Sequence, residues 1–182
     1  MPQNGNVLVD EGACDQLVGL AMPALALEST GGPVDLAELA ARLLVLFVYP
    51  HATGLPDAPA PGWDLIPGAR GCTAQSCSFR DRHDDIAGLG ATLAGLSVQT
   101  VGEQRAFAAR TGLSYRLISD PARQLAHAIG LPTFGAGERT FYKRVTLIVR
   151  RGRIVRVFYP VPRPEENAQD VVAWLQANLA SK

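Results

Sequence analysis

The run LLVLFVY at residues 43–49 is the longest unbroken apolar stretch in the chain. It is far shorter than the ~20 residues a helix needs to cross a bilayer. It is apolar on both parities and rich in β-branched and aromatic side chains, as a strand buried on both faces of a sheet should be, and Pro50 ends it. A strand of that kind needs a covering layer on each side, and the rest of the chain must supply both.

The flanking sequence does so by alternation. Residues 17–30 read as a strand or extended pair closed by the turn Gly31-Gly32-Pro33, and 34–42 as a short helix. Later come a helix at 72–89, a strand at 91–98, a helix at 103–110, a short strand at 115–118 and a helix at 121–129 opened by proline. Residues 134–142 read as a loop or interface. Two strands, 144–150 and 153–159, are joined at Arg151-Gly152, a connection short enough for a hairpin. A closing helix at 165–179 places Val171, Trp174, Leu175 and Leu179 on one face, with Trp174 read as core. The pattern is an α/β sandwich around a mixed sheet: one domain at 17–182, preceded by a loosely ordered segment at 1–16.

With 182 residues, 47% of them hydrophobic, the chain can hide roughly 70% of its unfolded surface without a disulfide framework. Lys plus Arg and Asp plus Glu each total 17, so the formal charge is zero. A general nucleic-acid or anionic-membrane binder needs a basic surplus to displace counterions, and none is present. The N-terminal MPQNGNVLVDEGACDQ lacks the basic region and apolar stretch of an export signal, so a cytoplasmic, reducing location is expected. Three cysteines in such a compartment are reactive or buried rather than a structural framework.

Cys14 sits in a polar segment and reads as a spectator thiol. Residues 54–69 hold four prolines (Pro56, Pro59, Pro61, Pro67) and no usable periodicity. Loops longer than ~12–15 residues are generally functional or disordered. This one turns into a helix at Cys72, where unpaired amide hydrogens and the positive end of the macrodipole favour a thiolate over a thiol. Arg70 and Arg80 add positive potential nearby. Cys77 follows five residues on, which in an ideal helix means a rise of about 7.5 Å and a rotation of about 140°. The two α-carbons then stand roughly 8–9 Å apart, beyond the ~4.4–6.8 Å a disulfide tolerates. The pair bonds only if the first turns of the helix unwind. Cys72, Cys77 and His83 are a poor zinc set, because their steps scatter the ligands and a fourth is missing. No Cys-x-x-Cys is present, and His51 and His127 read as packed or solvated side chains.

The run GCTAQSCSFRD at 71–81, in its place after LLVLFVYP, resembles the peroxiredoxins, and among them the atypical two-cysteine branch related to bacterioferritin comigratory protein. GLAMPALALESTGGPVDL before the strand, SDP at 119–121 and KRVTLIV at 143–149 extend the likeness over about residues 17–179. The resemblance implies a thioredoxin-like three-layer α/β sandwich with a central mixed sheet flanked by helices. It implies Cys72 as the peroxidatic cysteine, Cys77 as the resolving cysteine, and Arg144 as the arginine that holds thiolate and peroxide. The activity implied is reduction of hydrogen peroxide and organic hydroperoxides, with recycling by thioredoxin, glutaredoxin or glutathione. No metal, haem or flavin is called for, and a monomer or weak dimer is the family expectation.

The chain departs from the family at one point. The usual loop carries Pro, three residues, Thr, two residues and then the cysteine, whereas Ala69 stands at the threonine position here. Thr53, just after Pro50, matches the first half of that motif with one residue missing. Residues 54–69 then read as an insertion that loops out and returns Thr53 to Cys72, with Thr73 or the loop backbone as alternative hydrogen-bond donors. The same departure leaves open a different class of function: a peroxiredoxin-like redox sensor or binding protein that passes its disulfide to a partner without efficient turnover.

Overall fold

Every side chain from Leu44 to Val48 is fully buried. The computed structural model describes residues 8–56 and 58–179. Strands β1 (Ala26–Ser29) and β2 (Val34–Asp35) and the single-turn helix α1 (Leu36–Leu39) precede β3 (Leu43–Val48). Helices α2 (Cys72–Asp81) and α3 (His83–Gly88) lead to β4 (Thr92–Ser97), α4 (Val101–Thr111), β5 (Arg116–Ser119) and α5 (Gln124–Ile129). Two hairpins follow, β6 (Thr133–Ala136) with β7 (Arg139–Tyr142) and β8 (Val145–Arg150) with β9 (Arg153–Phe158), and α6 (Asn167–Leu179) closes the chain.

The main sheet has the order β2-β1-β5-β4-β3-β8-β9. β3, β4 and β5 pair in parallel, while the pairings β3–β8, β8–β9, β5–β1 and β1–β2 toward the two edges are antiparallel. The period of two along β3 sorts two cores. Leu44, Leu46 and Val48 face one, with Leu36 of α1, Leu125 and Ile129 of α5 and Phe141 of β7. Val45 and Phe47 face the other, with Phe79, Ile86, Phe107, Val171 and Leu175 from the helices of the opposite layer. Each large side chain withdrawn from water contributes ~1.5–3 kcal/mol as an upper estimate. The expected three-layer α/β sandwich with a mixed central sheet is the architecture observed.

Gly95 shows how the sheet positions its helices. It lies opposite Phe47 in the parallel register, and a Cβ there would come within 2.8 Å of both the Phe47 ring and Leu117. The missing side chain lets Phe47 lie across β4 and stack on Phe79, with ring centroids 4.5 Å apart and planes 11° from parallel. That contact seats α2 on the sheet.

Several local expectations change. The helix expected at 72–89 divides at Arg82, where the backbone leaves helical geometry (φ −104°, ψ 7°). The helix at 121–129 begins at Gln124, because the Asp120 carboxylate accepts from the backbone of Gln124 and Leu125 at 2.9 and 3.0 Å and leaves Pro121 in the preceding turn. Residues 134–142 lie within the β6–β7 hairpin instead of a loop, with Phe134 and Phe141 packed on Trp63. Arg151 and Gly152 take positive φ (51° and 76°), as a tight two-residue hairpin turn requires.

The N-terminal segment expected at 1–16 lies partly outside the described residues, at 1–7. From Glu11 it is pinned. The Glu11 carboxylate accepts from Lys143 Nζ at 2.7 Å and from the Tyr159 hydroxyl, and these two bonds hold its pKa at about 2. Cys14 is 7% exposed, a packed thiol rather than one in a mobile polar segment. Burial pushes its pKa up to about 12. The partners come from more than a hundred residues downstream, out of reach of local sequence reading.

Candidate active site

The antiparallel pairing of β3 and β8 places Val48 opposite Val145. The end of β3, from which the long loop departs, therefore meets the residue that precedes β8, Arg144. Cys72 opens α2 at the far end of that loop and is 4% exposed. Gly71 before it is left-handed (φ 100°), and a Cβ there would lie 2.8 Å from Pro164 in the 3-10 turn Pro164–Glu166. Glycine is the residue that meets both demands. Farther along α2, Tyr115 donates its hydroxyl to the Ser76 carbonyl at 2.7 Å. The face carrying Cys72, Gln75, Ser76 and Phe79 is buried.

Arg144 is 4% exposed, and its guanidinium is gripped on two sides. Nη2 donates to Cys72 Sγ at 3.1 Å and to the carbonyls of Arg70 at 2.9 Å and Gly68 at 3.3 Å, just before α2. Nη1 donates to Gln75 Oε1 at 2.5 Å. Nε is buried with no partner among the described residues. A buried charge is costly unless paired, and no carboxylate pairs with Arg144 among the described residues. The sulfur is the one contact that can carry the compensating negative charge. Guanidinium and helix N-terminus thus act together on Cys72. On the other side Sγ lies 3.7 Å from the Ala69 carbonyl, which a protonated sulfur can use as acceptor.

Cys72 opens onto a cavity of about 350 Å³ whose walls include Ala52, Thr53, Leu55, Trp63 and Thr73. Thr53 lines the same cavity as Cys72. Its hydroxyl, however, is engaged with Leu55, accepting from the backbone N–H at 3.1 Å, and its carbonyl accepts from Arg110 at 2.7 Å. Ala69 presents a carbonyl to the sulfur where the family places a threonine. His51 lies edge-on to Trp63 and Phe141, with centroids 6.5 and 6.1 Å away, and burial lowers its pKa, as a packed histidine requires. Cys77 is half-buried on the same continuous helix, and all three cysteines are free thiols.

Two residues of this site were not visible in the sequence reading. Gln75 and Asn167 are both buried, and Gln75 Nε2 donates to Asn167 Oδ1 at 2.9 Å. A polar side chain on the face shared with Cys72 and Phe79 was the signal for Gln75. Asn167 lies 92 positions away and carried no comparable signal.

A cysteine at the mouth of a helix thus lies beside the guanidinium of an arginine that immediately precedes the adjoining antiparallel strand of a thioredoxin-like fold. The Redoxin family model matches residues 17–172, and the chain belongs to that family. It is 29% identical over 163 residues to chloroplastic peroxiredoxin Q of Arabidopsis thaliana, covering 87% of this chain and 67% of that one. With peroxiredoxin Bcp of Bacillus subtilis it shares 27% over 144 residues, 76% of this chain and 82% of the relative. The crystal structure of peroxidoxin BcpB from Mycobacterium tuberculosis matches with a TM-score of 0.72 at 26% identity, over 90% of this chain and 98% of the other. The chain is a peroxiredoxin of the Q/Bcp type.

Proposed function

We propose that Cys72 is the peroxidatic cysteine, that Arg144 holds both thiolate and peroxide, and that hydrogen peroxide and organic hydroperoxides are substrates. The observation that carries this reading is the buried guanidinium of Arg144, 3.1 Å from the sulfur and without a carboxylate partner. The thiolate attacks one peroxide oxygen, an S–O bond forms and the O–O bond breaks. The departing oxygen takes the electron pair and a proton, leaving as water or an alcohol, while the sulfur is oxidised by two electrons to a sulfenic acid. Arg144 and the free amides of the first turn of α2 are preorganised to stabilise the developing negative charge. Thr53 joins them if its hydroxyl turns from Leu55 toward the cavity.

The Cys77 thiol then condenses with the sulfenic acid, giving a disulfide and water, which requires the start of α2 to unwind. An external dithiol such as thioredoxin, or alternatively glutaredoxin or glutathione, restores both thiols and is itself oxidised. This cycle suits a cytoplasmic, reducing location. The test is peroxide consumption coupled to a thioredoxin system. Wild-type protein should turn over, Cys72→Ser should not, and Cys77→Ser should complete one oxidation without recycling. Turnover surviving in Cys72→Ser would refute the assignment.

A further inference from the structure

Four side chains form a buried chain running away from the reactive sulfur. Arg144 donates to Gln75 Oε1, and Gln75 Nε2 donates to Asn167 Oδ1 at 2.9 Å. The Thr146 hydroxyl donates to the same Oδ1 at 2.7 Å. Gln75, Thr146 and Asn167 are each no more than 1% exposed, and Arg144 is 4% exposed. Asn167 is the first residue of α6, and the turn preceding that helix abuts Gly71 through Pro164.

A glutamine amide has two nearly isosteric ends, and only the oxygen can accept from a guanidinium. Packing alone does not choose between them. Arg144, a donor only, takes the oxygen end, and Asn167 locks that orientation because its oxygen accepts from the nitrogen end of Gln75. The Thr146 hydroxyl adds a second donor to the same Asn167 oxygen and so supports the orientation that Gln75 requires of it. We propose that Asn167 is a positioning residue that locks the orientation of Gln75 and so holds Arg144 on the Cys72 sulfur. This deepens the peroxidase reading by adding a residue from the far end of the sequence to the same site.

The test reads Cys72 without peroxide, so failure of the relay and failure of the peroxidase reading are separable. Alkylation of Cys72 by iodoacetamide is followed by peptide mass spectrometry at pH 6.5 and pH 9, on Asn167→Leu, Asn167→Asp and Thr146→Val. Asn167→Leu leaves Gln75 Nε2 without an acceptor and frees the amide to turn. The alkylation rate at pH 6.5 should fall about tenfold, the scale of one weakened charge-assisted hydrogen bond. At pH 9 it should stay within about threefold of wild type. Asn167→Asp keeps an acceptor oxygen and should restore the pH 6.5 rate. Thr146→Val, nearly isosteric, should show a smaller loss confined to pH 6.5, and it keeps the test decisive if Asn167→Leu does not fold. Wild-type rates at pH 6.5 in both Asn167→Leu and Thr146→Val would overturn the inference. So would losses equal at both pH values and not rescued by aspartate.

Discussion

Arg144→Met removes a guanidinium that makes four hydrogen bonds, to Cys72 Sγ, Gln75 Oε1 and the carbonyls of Arg70 and Gly68. Two consequences can be sized separately. For the chemistry, deleting one preorganised donor to a developing oxyanion costs ~2.7–4 kcal/mol of barrier, or about 10²–10³ in rate. For the fold, each acceptor left buried without a donor costs ~1–3 kcal/mol. That cost is offset by removal of a buried charge that has no carboxylate, a replacement that is often neutral when the new side chain packs. Stability should therefore change by only about 1–3 kcal/mol, the scale of a single orphaned acceptor, while kcat/KM for hydrogen peroxide falls by at least about a hundredfold. Arg144→Lys keeps a cation but loses the planar fork, so it should recover only part of that rate. Stopped-flow oxidation at pH 7 measures the rate and urea denaturation the stability. A rate for Arg144→Met within threefold of wild type would show that the guanidinium is structural, and the charge argument for Cys72 would fail with it.

Three further outcomes are expected. Leu55→Asn puts an amide on the wall of the Cys72 cavity, where Leu55 is 48% exposed. It should lower kcat/KM for cumene hydroperoxide by roughly tenfold, within the ~1–3 kcal/mol range of small changes in an apolar pocket, and leave hydrogen peroxide nearly unchanged; equal effects on both would show that the wall does not read substrate bulk. The Glu11 carboxylate, held at about 2 against an ordinary 4.5, contributes stability that is complete above pH 4.5 and lost as pH falls through 2. Urea midpoints of wild type and Glu11→Gln should thus differ by a constant amount from neutral pH to 4.5 and converge toward 2, whereas a gap independent of pH would mean the ion pair is not its source. Cys14, pushed up to about 12 by burial, should resist iodoacetamide at pH 8 in the folded protein while Cys72 reacts, and should become labelled only in urea.

The elements that were legible in the sequence carry their physics locally. LLVLFVY is apolar on both parities, and it is the strand whose faces are both covered. Cys72 follows a glycine where a proline-rich loop enters a helix, and it is the buried first residue of α2. Arg144 came through the family likeness of KRVTLIV, since nothing about an arginine before a strand singles it out. Other features depend on partners distant in the chain. Cys14 is buried in a segment whose Glu11 reaches Lys143 and Tyr159. Phe134 and Phe141 of the β6–β7 hairpin pack on Trp63, a residue of the proline-rich loop. Gln75 and Asn167 are polar, buried and 92 positions apart, a pairing that only the folded chain creates. Thr53 marks an intermediate case, because it lines the Cys72 cavity while its hydroxyl bonds Leu55, a contact the sequence does not show.

The central claim is that one thiol in this chain is charge-tuned to reduce peroxide and that a second, five residues on, resolves it after local unwinding. Non-reducing peptide mapping after one equivalent of hydrogen peroxide, on wild type and Cys77→Ser together, tests it most directly. The account predicts a Cys72–Cys77 disulfide in the wild type and sulfenic or sulfinic acid on Cys72 in the variant. Cys72 remaining a free thiol while peroxide persists would contradict it.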